Sequence, residues 1–203
     1  MNYTDLDFIE IGTSDFDTLV EVCDNNATGI CVEPLSYYLN KLPNKPFVKK
    51  INCAISFEDI EGEIKIFYIP EDTIKKENLP YWLKGCNSVG DFHKHHTRLN
   101  LTHLVKIEIA RQIPISKLLQ ENNIRKIKHL KIDTEGGDCF ILKNLLKYLK
   151  EKSIEYFPER ITFESNTLTS MNLIEETIFM YKQNGYNVDP ESDTDNTILI
   201  LGK

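Results

Sequence analysis

Long apolar runs are missing from this chain of 203 residues. Nothing in it approaches the roughly 18 consecutive apolar residues that a membrane-spanning helix needs, so no membrane span is expected. The opening, Met1-Asn2-Tyr3-Thr4-Asp5, has no basic segment and no cleavable apolar stretch. No secretory signal is therefore expected, and the protein is read as cytoplasmic. Positive charge is in deficit: 24 Lys and Arg face 31 Asp and Glu, a net charge of -7. Affinity for nucleic acid comes largely from basic side chains that neutralise phosphates, so a nucleic-acid partner is not expected. The densest basic run, Arg125, Lys126, Lys128 and Lys131, reads as a solvated helix end. The five cysteines (Cys23, Cys31, Cys53, Cys86, Cys139) are odd in number and lack CxxC spacing. They read as reduced, mostly buried thiols.

What the chain does have is 41% hydrophobic residues, too many and too evenly spread for disorder, and a length that suits one domain. Periodicity alternates strands with helices. Strands are expected at Asp7–Ile11, Gly29–Glu33, Phe47–Ser56, Val105–Ile109, His129–Asp133, Arg160–Glu164, Tyr186–Val188 and Asn196–Leu201. Helices are expected at Thr18–Asn25, with Ser14, Asp15 and Asp17 as candidate caps, and at Leu35–Leu42, Ile115–Asn122, Cys139–Lys150 and Ser170–Asn184. Glu63–Ile69 alternates as an added β-ribbon, and Gly185 suits the residue just past a helix end. Between Pro70 and Leu104 the pattern collapses into an irregular insertion that holds four of the five histidines, a candidate lid or acceptor loop. The expected fold is a single α/β domain over residues 1–203, with a mostly parallel sheet and an antiparallel last strand.

In an open α/β sheet, ligands bind beyond the carboxyl ends of the strands. The first strand ends in Glu10-Ile11-Gly12-Thr13-Ser14-Asp15-Phe16-Asp17. The second ends in Glu33-Pro34, the third in Asn52-Cys53-Ala54-Ile55-Ser56, the fourth in Asp133-Thr134-Glu135-Gly136 and the fifth in Glu164-Ser165-Asn166. Glu33 is placed to accept both ribose hydroxyls of an adenosine ligand. A GxGxxG dinucleotide loop would need glycine where Ser14 and Asp17 stand, and Asp15 and Asp17 would repel a pyrophosphate. A cationic adenosine ligand without phosphate reverses that sign. S-adenosyl-L-methionine carries a sulfonium and an ammonium, which carboxylates at Glu10, Asp15 and Asp133 would suit.

The order of pieces resembles the FkbM family of S-adenosylmethionine-dependent methyltransferases. The likeness is carried by Phe8-Ile9-Glu10-Ile11-Gly12, Val32-Glu33-Pro34, and Asn52 to Ser56 with the Gly62-Glu63 ribbon. Leu130-Lys131-Ile132-Asp133-Thr134-Glu135-Gly136 is its most family-specific part, followed by Ile161-Thr162-Phe163-Glu164 and Asn196-Thr197-Ile198-Leu199. The resemblance implies a seven-stranded, Rossmann-like class I methyltransferase fold that transfers a methyl group, usually to a hydroxyl. It implies Gly12, Thr13 and Ser14 along the methionine portion, Glu33 and Pro34 at the ribose, Ala54 and Ile55 near the adenine, and Asp133 near the sulfonium. The glycines usual after Gly12 are here Ser14 and Phe16.

Methyl transfer to oxygen needs donor and acceptor in line and a base for the hydroxyl proton. Asp133, Glu135, Glu164 or a loop histidine, His93 first, could serve. The plainer reading of Asp133 and Glu135 is capping of the helix that follows, and Glu135 could do both. No metal set is expected: His93 and His95 of His93-Lys94-His95-His96 would share a face only in a strand, with Asp91 the one nearby carboxylate. Gly85-Cys86-Asn87-Ser88 offers polar contacts to a small-molecule or glycan acceptor, and Cys139 should pack inward. Two other functions stay open: a binding module that kept the fold and lost turnover, and an NAD-dependent oxidoreductase. No motif speaks to oligomeric state.

Overall fold

A computed structural model describes residues 4–151 and 157–202. Its main sheet has seven strands: β1 (Thr4–Ile11), β2 (Gly29–Val32), β3 (Val48–Ile51), β8 (Ile124–Ile132), β9 (Arg160–Glu164), β10 (Tyr186–Val188) and β11 (Asn196–Leu201), in the order β10-β11-β9-β8-β1-β2-β3. Pairing from β3 through β9 is parallel, and β11 inserts antiparallel between β9 and β10. Strand order reverses at β1, whose neighbours are β2 and β8, so a crevice opens beyond those three carboxyl ends.

The apolar runs that define these strands are the core. Ile9, Ile11, Ile132, Ile161 and Phe163 are at most 1% exposed. Against them lies α6 (Asp138–Lys150), which presents Ile141, Leu142, Leu145, Leu146 and Leu149, all fully buried, along one helical face. The helices α5 (Ile115–Glu121) and α7 (Met171–Lys182) pack on α6. Near the opposite edge, α1 (Leu19–Val22) and α2 (Ser36–Leu39) are single turns. Both are shorter than their periodicity suggests.

Three other expectations change. The segment Phe47–Ser56 is not one strand: β3 belongs to the main sheet, whereas β4 (Ala54–Ile55) belongs to a second, four-stranded sheet, in which it is followed in order by β7 (Lys106–Ile113), β5 (Gly62–Tyr68) and β6 (Ser88–Val89). The break falls at Asn52, whose side-chain NH2 donates to the carbonyls of Glu33 and Pro34, both at 2.9 Å. The segment expected as a ribbon is thus β5, an inner strand of the second sheet between β7 and β6. The basic run is no helix end. It lies along β8, where Arg125 pairs with Asp5, Lys126 with Glu159, Lys128 with Asp7 and Lys131 with Glu10.

Residues 70–104 are not structureless. They hold α3 (Glu71–Lys76), α4 (Lys94–Arg98), β6 and 3-10 turns at Tyr81–Lys84 and Thr102–Leu104. Elements of two to six residues are too short to generate a readable period. Ion pairs dock this segment on the loop after β1. Asp15, its side chain 4% exposed, lies between Lys84 and Lys41, and Lys41 reaches Glu71 at 2.6 Å. The Lys84 ammonium also meets the Tyr81 hydroxyl at 3.2 Å and faces the Phe16 ring. Hydrogen bonds from Lys41 and Lys75 hold the Glu71 carboxyl down at about 2.

Removing one partner of a buried ion pair strands the other, at a cost of about 3–5 kcal/mol. Because Lys41 still pairs with Asp15, Lys84→Met should destabilise the protein by less than that, about 2 kcal/mol, and move the emission of Trp82, the chain's one tryptophan, which shares a 3-10 turn with Lys84. Urea unfolding followed by that fluorescence checks it; a loss under about 1 kcal/mol would contradict the clamp.

Candidate active site

Beyond β1, β2 and β8 lies a cleft of about 790 Å³, part of it open to solvent. The strand ends that form it touch. Gly12 has a φ of +79°, and a Cβ there would lie 1.8 Å from the carbonyl oxygen of Asp133, so only glycine fits. The Asp133 N–H donates to the Ile11 carbonyl at 2.9 Å, which fixes the same juncture.

The loop that leaves Gly12 keeps a glycine-like path without the glycines. Ser14 and Asp17 have φ values of 47° and 53°, in the left-handed region that costs a residue with a side chain about 1–3 kcal/mol. Glu33 offsets that cost. It is 4% exposed, and its Oε2 accepts the Ser14 N–H at 2.8 Å while Oε1 accepts the Leu35 N–H at 2.9 Å. Each oxygen retains a second lone pair for a ligand hydroxyl. Burial pushes the Glu33 carboxyl up to about 7.

Sequence-designated residues separate here into two groups. Gly12, Thr13, Ser14, Glu33, Pro34, Ala54, Ile55, Asp133 and Glu135 line the cleft, as do Gly85, Asn87 and Ser88 from the insertion. Glu10 and Asp15 stand behind its wall. Glu10, 1% exposed, accepts the Leu19 N–H at 2.8 Å and so caps α1, a role that sequence reading had offered to Ser14, Asp15 or Asp17. Asp15 is engaged by its two lysines. Asp17, Phe57 and Lys131 also line the cleft and were not singled out as site residues. The period-two alternation of a strand, which puts Lys131 on the side of Asp133, is the signal that could have found the last of these.

At the far end, oxygens of Asp133, Glu135 and Glu164 all lie within 4.8 Å of one another. Asp133 opens into the cleft, and the surrounding walls push its carboxyl above the usual range. Asp138, fully buried on the first turn of α6, accepts the N–H of Thr134 at 2.9 Å and that of Glu164 at 2.8 Å. It thereby bolts the end of β8 to the end of β9, while α6 starts at Gly137 without a side-chain cap, so neither Asp133 nor Glu135 takes that role. Glu164 Oε1 accepts from Asn166 at 2.5 Å, and Oε2 is buried with no hydrogen-bond donor. Burial first, then neighbouring carboxylates, raises Glu135 and Glu164.

His93 enters from the insertion. It is 3% exposed, caps the start of α4, and sits with Nε2 3.0 Å from Glu135 Oε2. Its Nδ1 accepts the His95 N–H at 3.2 Å. That bond needs an unprotonated Nδ1, so the ring is neutral and Nε2–H donates to Glu135. Burial agrees, lowering His93 to about 4. Both nitrogens are thus engaged, and His95 stacks on His93 and meets Trp82 edge-on. Cys139 packs inward, fully buried. Lys94 donates to the carbonyls of Thr167 and Leu168 and ties the insertion to the loop after β9.

Comparison with family models matches residues 9–188 to the methyltransferase FkbM domain. The chain belongs to that family of methyltransferases. Neither curated proteins nor solved structures give a significant match. Among the described residues, no helix is long and apolar enough to cross a membrane.

The raised carboxyls set a pH dependence. Glu33 and Asp138 go from 4.5 and 3.8 up to about 7, and Glu135 and Glu164 are raised as well. Each holds its proton to higher pH when folded than when unfolded. The resulting stability is full below the unfolded values and is lost as pH rises through the folded ones. Asp7 and Glu71, lowered to about 2, lose theirs only in strong acid. The ligand-free protein should melt at a higher temperature near pH 6 than near pH 8.5, and Glu164→Gln should flatten the difference. Calorimetric melts at the two pH values check this; a higher melting temperature at the alkaline value would contradict the charge assignment.

Proposed function

We propose that this FkbM-family methyltransferase uses S-adenosyl-L-methionine and methylates a hydroxyl on a sugar, glycan or other small molecule, with the whole chain acting as one domain. The observation that carries the reading is the continuous cleft from Glu33, past the bare Gly12 turn, to Asp133 and Glu135. Its chemistry fits the cofactor. The bare Gly12 turn lines the cleft, and the lining acids Asp17, Glu33 and Asp133 suit a cation and oppose a pyrophosphate. That charge disfavours the NAD alternative. The left-handed backbone kept at Ser14 supports a working cofactor loop over a lost one.

Glu33 and Pro34 are assigned to the ribose, Ala54 and Ile55 to the adenine, Gly12, Thr13 and Ser14 to the methionyl chain, and Asp133 to the sulfonium end. When bound, the cofactor supplies a methyl group made electrophilic by positive sulfur. The residues of this chain then have three tasks. Gly85, Asn87 and Ser88 of the insertion contact the acceptor and shield it from water. Glu135 and Asp133 orient the acceptor hydroxyl, and Asp133 receives its proton. His93 is a positioning residue, holding Glu135 through Nε2–H. The acidic surroundings favour a neutral hydroxylated acceptor over a phosphorylated or carboxylated one.

Calorimetric titration with S-adenosylhomocysteine, with NAD as comparison, tests the cofactor. Micromolar binding of the first alone is expected; binding of NAD alone would overturn the reading. Glu33→Gln should weaken S-adenosylhomocysteine by about tenfold or more and 5′-methylthioadenosine to a similar degree, because the two share the ribose. Unchanged affinity would place the ribose elsewhere.

A further inference from the structure

The amino-acid end of the proposed cofactor carries a carboxylate as well as an ammonium, and the acids of the cleft repel the former. Asp17, Glu33, Asp133 and Glu135 line the cleft, and among the described residues that do so one side chain is basic, that of Lys131. Lys131 lies on β8 two positions before Asp133, so both side chains rise on the same side of the sheet.

Its ammonium is held in place but not used up. It donates to the backbone carbonyl of Asp17 at 2.6 Å, which tethers it to the loop that leaves Gly12. Glu10 Oε1 lies 3.0 Å away and pairs with it. An ammonium has three N–H groups; Asp17 and Glu10 take two, and one remains for a ligand. The side chain is 18% exposed, shielded enough for its charge to be felt and open enough to meet a ligand.

We infer that Lys131 binds the carboxylate of the cofactor's methionyl portion, with Asp17 and Glu10 holding its ammonium over the Gly12 loop. The inference rests on the cofactor reading above and adds to it the one attractive contact that an anionic group finds in an acidic cleft. Lys131 is thereby a determinant of which adenosine compounds the protein takes, favouring those that carry an amino-acid tail.

Removing either the lysine or the ligand carboxylate tests it. Three ligands are titrated into wild type and Lys131→Gln: S-adenosylhomocysteine, its decarboxylated analogue, and 5′-methylthioadenosine, which lacks the amino-acid tail. Wild type should prefer S-adenosylhomocysteine to the decarboxylated analogue by tenfold or more. Lys131→Gln should weaken S-adenosylhomocysteine by about ten- to hundredfold, abolish that preference, and leave 5′-methylthioadenosine within about twofold. A preference that survives in Lys131→Gln would overturn the assignment. So would an equal loss of all three ligands, which would mean that the lysine only supports Glu10 and the loop. If wild type binds none of the three, the cofactor reading itself falls and this assignment with it.

Discussion

The close approach of Gly12 to Asp133 is the constraint on which the rest of the site depends. Two parallel strand ends meet there with no room for a side chain, and a Cβ on Gly12 would overlap the Asp133 carbonyl. Because they meet, the turn after β1 and the carboxylates after β8 open into one cleft instead of two separate strand ends. The sheet's reversal of order at β1 supplies the crevice, and the bare glycine makes it usable.

Charge organises what surrounds that juncture. Carboxylates that would be costly to bury are divided between two uses. Glu10, Asp15 and Asp138 are taken up by backbone N–H groups or lysines and act as fasteners. Asp133 and Glu135 are left facing the cleft, with Glu164 close behind them. The insertion carries the partners for both groups: Lys84 engages Asp15, and His93 engages Glu135. It is therefore a docked wall of the cleft, joined to the loop after Gly12 at one end and to the carboxylates at the other.

Much of this was legible in the sequence where local pattern and tertiary role coincide. Arg160–Glu164, Tyr186–Val188 and Asn196–Leu201 form strands at the bounds expected from their apolar runs, and Glu33 and Asp133 lie at strand ends as their positions suggested. What was not legible depends on partners distant in the chain. Nothing around Asn52 announces that its amide will hold two carbonyls of the neighbouring strand end and turn one apolar run into strands of two sheets. Nothing beside Glu10 or Asp15 reveals the lysines that occupy them, so both read as ligand groups. The left-handed backbone at Ser14 depends on Glu33, 19 residues away, which a residue-by-residue reading of the loop does not contain. The elements between 70 and 104 were missed for a simpler reason, being shorter than the periods used to recognise them.

The most direct test of the account is a crystal structure of the protein with S-adenosylhomocysteine. The account predicts the adenosine between Glu33 and the Ala54–Ile55 strand, the amino-acid tail over the Gly12 turn, and the sulfur facing Asp133. A ligand seated elsewhere, or one running through the cleft in the opposite direction with its adenine against Asp133 and Glu135, would contradict it.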